Sequence, residues 1–271
     1  MGKKTLSVFL IFFVFTVYGQ KNQSPDFFAK KAFKELQQGK YPEAIMDYSK
    51  AISINPDSYQ AYHHRALAKS MLGEYNEAIL DYNTAIALYD EDSELFYNKG
   101  IAEYHLKKYF AAITDFNKSI KINQYSIDAF MYRGYSYGNL KMYDESIQNF
   151  TRAIELDSTN GNAYWNRANV YNTVGKYKES LDDVQKSLLF NPDDLRAINT
   201  RGEIRAEFKD YQGAIEDFTI YLTKQPNDTK TISNRMAVEL LLNDQKAACA
   251  DYRRLLNLGE KPNLEIENYC Q

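Results

Sequence analysis

Apolar and small residues recur along this chain with two periods at once. Over short stretches they fall three, four and seven residues apart, as in Tyr164, Ala168 and Tyr171 or Ser180, Val184 and Ser187, which is the spacing of one face of an α-helix. Over longer stretches the whole pattern returns every 34 residues, seven times from residue 25 to residue 262, without an insertion or deletion. The windows begin at Pro25, Tyr59, Ser93, Ile127, Gly161, Leu195 and Thr229, giving repeats 25–58, 59–92, 93–126, 127–160, 161–194, 195–228 and 229–262. A fixed period of this length predicts an all-α solenoid, in which each unit buries its apolar face against its neighbours.

Numbering each repeat from 1 to 34 exposes the columns. Position 17 is Tyr41, Tyr75, Tyr109, Tyr143, Tyr177 and Tyr211, then Gln245. Position 8 is small (Ala32, Ala66, Gly100, Gly134, Ala168, Gly202) and so is position 20 (Ala44, Ala78, Ala112, Ser146, Ser180, Ala214, Ala248). Position 24 is Tyr48, Tyr82, Phe116, Phe150, Val184, Phe218 and Tyr252. Small residues at 8 and 20 let two helix backbones approach, and the large side chain at 24 fills the space beside them. Gly39, Gly73, Gly175 and Asn243 stand where the first helix must stop, a place suited to a left-handed C-cap. Lys107, Lys141 and Lys209 occupy the same column, so those turns are expected to close differently. After the second helix, Asn-Pro-Asp at 55–57 and 191–193 predicts an extended residue before proline and a capping aspartate after it. The expectation is fourteen helices of about 12 to 15 residues joined by tight turns.

These columns resemble those of the tetratricopeptide repeat (TPR) family over nearly all of the chain beyond its first residues. The resemblance implies a right-handed superhelix of helix-turn-helix hairpins whose first helices line a concave groove, with positions 2, 5, 6, 9, 12 and 13 pointing into it. It also implies a scaffold that binds other proteins. Mapped onto this sequence, the groove shows a gradient. Repeats three and four supply Tyr97, Asn98, Tyr104, Met131, Tyr132 and Tyr135, with His63 and His64 beside them. Repeat five supplies the only tryptophan, Trp165, with Asn162, Asn166, Asn169 and Asn172 along one helix face. Repeats six and seven turn polar and charged through Arg196, Asn199, Glu203, Glu207, Lys230 and Asn234. Aromatic rings supply apolar area at small entropy cost, and carboxamides both donate to and accept from a peptide backbone. A peptide or partner helix is therefore the expected ligand. Two other readings stay open: an assembly component using the convex face or repeat edges, and a carbohydrate-binding module in which rings stack on sugars. Position 27 is small in the first five repeats (Ala51, Ala85, Ser119, Ala153, Ser187) but Tyr221 and Leu255 in the last two; Met236 replaces the small residue of position 8, and Gln245 the tyrosine of position 17. Repeats six and seven are expected either to pack at a changed angle or to act as a terminal cap.

Composition narrows the function classes. Lys3 and Lys4 precede an uncharged apolar run at 6–18, followed by Gly19; this reads as a cleaved signal peptide over 1–19, with 20–24 a short linker. The run is shorter than the ~20 residues that span a bilayer, so no stable membrane insertion is expected after cleavage, and the mature chain is expected to be secreted or periplasmic. Without those two lysines, 31 basic against 36 acidic residues leave a net charge of −5, and no basic stripe points to nucleic acid. The two cysteines are Cys249 and Cys270; residues 263–271 begin an eighth repeat, expected as a capping helix tied down by a Cys249–Cys270 disulfide in an oxidising compartment.

Catalytic signatures are missing. There is no His-Glu-x-x-His, no Gly-x-Ser-x-Gly and no phosphate loop, so no enzyme activity and no cofactor are expected. The histidines His63, His64 and His105 make a poor metal set, because adjacent helical residues point about 100° apart. Position 7 is Lys or Arg in every repeat and position 23 is Asp in all but repeat four, where Asn149 stands, which predicts a structural ion pair between helices rather than a site.

Overall fold

The computed structural model describes residues 24–260 and 264–270, with no side-chain description for 264, 265 and 268. The expected signal peptide lies outside the described residues, as do residues 20–23 of the expected linker. The chain divides into two compact units, Met1–Gln124 and Tyr125–Gln271. The first contains α1 (Pro25–Gln37), α2 (Tyr41–Ile54), α3 (Tyr59–Met71), α4 (Tyr75–Leu88), α5 (Ser93–His105) and α6 (Tyr109–Ile122). The second contains α7 (Ile127–Asn139), α8 (Tyr143–Leu156), α9 (Gly161–Thr173), α10 (Tyr177–Phe190), α11 (Leu195–Glu207), α12 (Tyr211–Lys224), α13 (Thr229–Leu241), α14 (Gln245–Asn257) and the short α15 (Leu264–Cys270). Each 34-residue window thus opens on a helix, and no strand occurs among the described residues. Within each unit consecutive helices pack together, and the first helices of successive repeats also touch one another.

The helix starts follow a single chemistry. Ser24, Ser58, Asp92, Ser126, Asn160, Asp194 and Asp228 precede the seven first helices, and each side chain accepts a hydrogen bond from a backbone N–H of the first turn. The expectation of capping by the aspartate after Asn-Pro is corrected by one residue: Ser58 and Asp194 cap, whereas Asp57 only donates its N–H to the Asn55 side chain. Asn55 itself is extended (φ −128°, ψ 91°), as the following proline requires.

The turns inside the hairpins correct a second expectation. Lys107, Lys141 and Lys209 have φ of 59°, 61° and 63°, in the same left-handed region as Gly39 (72°), Gly73 (79°), Gly175 (78°) and Asn243 (56°). The hydrogen bonding is also shared: Lys108 N–H donates to Glu103 O at 2.9 Å just as Lys40 N–H donates to Glu35 O at 2.9 Å. The repeat geometry overrides the residue's own preference, at a cost of ~1–2 kcal/mol for each non-glycine residue so placed.

Packing between the two helices explains the small column. A Cβ added at Gly100, Gly134 or Gly202 would stand 2.7, 2.8 and 2.8 Å from the ring of Phe116, Phe150 and Phe218 respectively. Where position 24 is Tyr48, Tyr82 or Val184, position 8 is alanine instead, and both partners are buried. The column is therefore a matched pair in each repeat and not a uniform tolerance for small residues.

The ion-pair column also holds. Arg65–Asp81, Arg167–Asp183, Arg201–Asp217 and Arg235–Asp251 close at 2.6–2.8 Å, Lys99–Asp115 at 3.0 Å, and Lys31 pairs with Asp47. In repeat four Arg133 Nε donates to Asn149 Oδ1 at 2.6 Å.

At the C-terminal end, a further short helix packs against repeat seven. Leu222, Ile232, Met236, Tyr252 and Leu255 form a buried cluster against which Ile266 and Cys270 of α15 pack. Gln245, where other repeats have tyrosine, donates to Tyr269 O at 2.6 Å, and Cys249 is joined to Cys270 by a disulfide. The substituted columns of repeat seven are the seat of this terminal helix.

Candidate functional site

In the first unit the expected groove residues lie on the first helices. His63 and His64 of α3 stack their rings at 5.3 Å and 12°, and His64 stacks in turn on Tyr48 at 5.8 Å. Asn98 of α5 donates its amide toward His63 Nε2 at 3.0 Å, and Asp92 lies 4.0 Å from Nδ1. Burial, then the neighbouring His64, pushes His63 down to about 4, against the pull of Asp92. Both rings are neutral near pH 7, and among the described residues no cluster of histidines, cysteines or acids could hold a metal. Tyr97 packs beside Phe116 at 6.1 Å and Tyr104 edge-on to Tyr109 at 5.5 Å, so these rings are half-buried walls.

In the second unit the amide ladder is mostly engaged within the protein. Asn166 is buried and donates to Tyr135 Oη at 3.0 Å and to Asn162 O at 2.7 Å. Asn162 is exposed, but its Oδ1 accepts from Arg196 at 2.7 Å. Asn172 reaches Glu203 at 3.4 Å, while Asn169 stands exposed. Tyr132 and Tyr135 meet edge to face at 5.6 Å. Met131 is only 6% exposed, so the expectation of it as a contact residue is corrected: it belongs to the interior, as does most of Asn166.

Trp165 is also held. Its ring packs on the core of Ala168, Val184, Ala197 and Ile204, its N–H donates to Thr200 at 3.3 Å, and the Arg196 guanidinium lies over its face at 4.2 Å. Arg196 is fixed there by Asp194, the cap of α11, through two hydrogen bonds of 2.7 and 3.0 Å. The indole is a platform whose outer layer is a guanidinium, a feature that needs the 31-residue offset between Trp165 and Arg196 to be folded before it becomes visible.

In the same unit a cavity of about 640 Å³ opens among α9, α11 and α13, with residues of α10 and α12 also lining it. Its wall includes Asn172, Glu203, Glu207, Lys230 and Asn234, and its apolar part includes Ala206, Ala237, Val238 and Leu241. That size lies within the ~300–1,000 Å³ of ordinary ligand pockets. Glu203 accepts from Lys230 at 2.9 Å and from Asn234 at 3.3 Å. The sequence marks repeats six and seven as polar and charged, yet Ala237 and Leu241, at groove positions 9 and 13 of repeat seven, join Ala206 and Val238 in an apolar wall.

With this geometry in view, the comparisons are consistent. TPR family models match residues 34–73 (TPR repeat), 65–127 (tetratricopeptide repeat) and 127–160 (tetratricopeptide repeat). The chain is a tetratricopeptide repeat protein, a class of interaction scaffold. No curated relative matches its sequence significantly. Among solved structures it is similar to a tetratricopeptide repeat protein from Parabacteroides merdae, with 19% identity, a TM-score of 0.68, and 92% of this chain and 98% of that one covered. It is also similar to the C-terminal part of a TPR repeat-containing protein from Cytophaga hutchinsonii, at 17% identity, TM-score 0.72, and 89% and 99% coverage. A third, YrrB, described as a TPR protein with an unusual peptide-binding site, shows 20% identity, TM-score 0.59, and 69% and 95% coverage.

Proposed function

We propose that this chain is an extracytoplasmic adaptor that binds a peptide or partner helix on the face formed by its first helices, and that it carries no chemistry of its own. The observation that carries the reading is the cavity of the second unit, where half-buried Asn172, Asn234 and an apolar wall stand together on first helices, with Asn169 exposed one turn before Asn172 on α9. Amides offer paired donors and acceptors to a backbone of any sequence, and the wall offers area for a side chain. A peptide-binding site described for YrrB is in keeping with this use of the fold. Support for an oxidising location comes from the apolar segment at 6–18 and from the disulfide that secures α15.

The test is a crosslinked affinity capture from the native extracytoplasmic fraction, with wild type beside an Asn169→Ala/Asn172→Ala/Leu241→Ala variant shown to be folded by circular dichroism. A protein captured by wild type and lost by the variant supports the reading. Equal capture by both moves the interface to the second helices or the edges. An exported chain whose intact mass still includes residues 1–19 removes the signal-peptide part.

A further inference from the structure

Among the groove columns, position 2 carries Asp26, Glu94 and Asp128, and positions 5, 6, 9, 12 and 13 add only two carboxylates, Glu203 and Glu207, four residues apart on α11. Both line the cavity of the second unit. The Glu203 side chain is 22% exposed and its Oε1 is oriented by Lys230 and Asn234, while Glu207 is exposed and carries no ion pair among the described residues. The same lining includes the apolar wall, in which Leu241 is 60% exposed. The lining also holds two cations: Lys209 from the left-handed turn after α11, and Lys230 from the first turn of α13 with 73% of its side chain exposed.

We propose that this cavity receives a lysine or arginine side chain of an extended partner segment, its aliphatic stem along Ala237 and Leu241 and its cation between Glu203 and Glu207. The proposal rests on the groove reading above and adds the chemistry of the ligand. A cation gives Glu207 the partner it lacks among the described residues; an apolar side chain would desolvate that carboxylate without one, and an acidic side chain would add a third carboxylate to a lining that holds two lysines. A long cationic side chain satisfies the two halves of the cavity together, because its methylenes cover apolar surface while its head stays at the polar mouth. Lys230 shows the contact in place: its ammonium already sits on Glu203 at 2.9 Å. The Lys230 side chain is 73% exposed and its interaction is screened by salt, so an incoming cation competes with it for Glu203.

The experiment screens the full chain against a positional-scanning library of acetylated, amidated nonapeptides, and then measures affinities of the selected peptides by fluorescence polarisation. Lysine or arginine is expected at one position of the selected set. Glu207→Gln is expected to weaken the best basic peptide by roughly five- to tenfold, and Lys230→Ala, by freeing Glu203, to strengthen it about two- to threefold. Wild-type affinity for the same peptide falls as salt rises. Selected peptides that are neutral or acidic at every position, or basic peptides indifferent to Glu207→Gln and to salt, overturn the proposal and leave the groove reading standing. Failure of the whole library to bind overturns both.

Discussion

Glu239 on α13 is a buried carboxyl with too little to neutralise it, and Glu239→Gln tests that reasoning directly. It is 6% exposed, and its Oε2 has no hydrogen-bond partner. The nearest cation, Arg235, is 3.8 Å away and is already committed to Asp251 of α14 through two contacts of 2.8 Å. Burial first, then the Asp251 charge, pushes Glu239 from its ordinary 4.5 up to about 7, with Arg235 opposing and Asp244 adding to the rise. That difference corresponds to roughly 3 kcal/mol between the protonation states. The folded carboxyl ionises later than the unfolded one, so the unfolded state binds fewer protons between these values. Stability therefore falls as pH rises from about 4.5 to about 7 and is level beyond. Glutamine is uncharged at every pH and removes the loss. The variant is expected to be more stable than wild type by up to ~3 kcal/mol at pH 8 and by less than ~1 kcal/mol at pH 5. Urea unfolding followed through Trp165, the only tryptophan, reports the second unit, and hydrogen exchange of α13 and α14 reports the site itself. A stability difference that is the same at both pH values, or a variant weaker at pH 8, would refute the argument. The same column in other repeats shows the alternative solution: Lys69 and Arg205 stand there and donate to Asp81 and Asp217.

Three further outcomes follow from the packing. Gly134→Ala places a Cβ 2.8 Å from Phe150 and is expected to cost about 1–3 kcal/mol in thermal or urea unfolding, with most of it recovered by adding Phe150→Val, the pairing seen at Ala168 and Val184. Lys141→Gly relieves a left-handed lysine and is expected to stabilise the second unit by about 1 kcal/mol; a destabilised variant would mean that the lysine side chain has a role in the turn. Cys270→Ser opens a loop closed across a sequence separation of 21 and is expected to lose about 3 kcal/mol, seen as faster exchange in α14 and α15 while α9 to α12 are unchanged.

The 34-residue period alone determines much of this protein. It places every first helix to the residue and predicts both the small-to-large pairing of positions 8 and 24 and the ion pair of positions 7 and 23, because a repeat must solve the same packing problem seven times. The position of the terminal helix and its cysteine is legible for the same reason. Local preference misleads where the repeat outweighs it, as at Lys107, Lys141 and Lys209, which adopt the glycine conformation of their column. The site is another matter. Trp165, Asn162 and Asn166 read as free ligand groups in sequence, yet Arg196, Thr200 and Tyr135 occupy them in the fold. Met131 reads as groove and is interior. Such contacts join residues 31 to 35 positions apart on neighbouring repeats, so helical periodicity, which speaks only of one helix face, carries no information about which side chain from the next repeat lands on it. Tertiary stacking alone decides which polar groups are satisfied internally and which, such as those of Asn169 and Glu207, stay exposed.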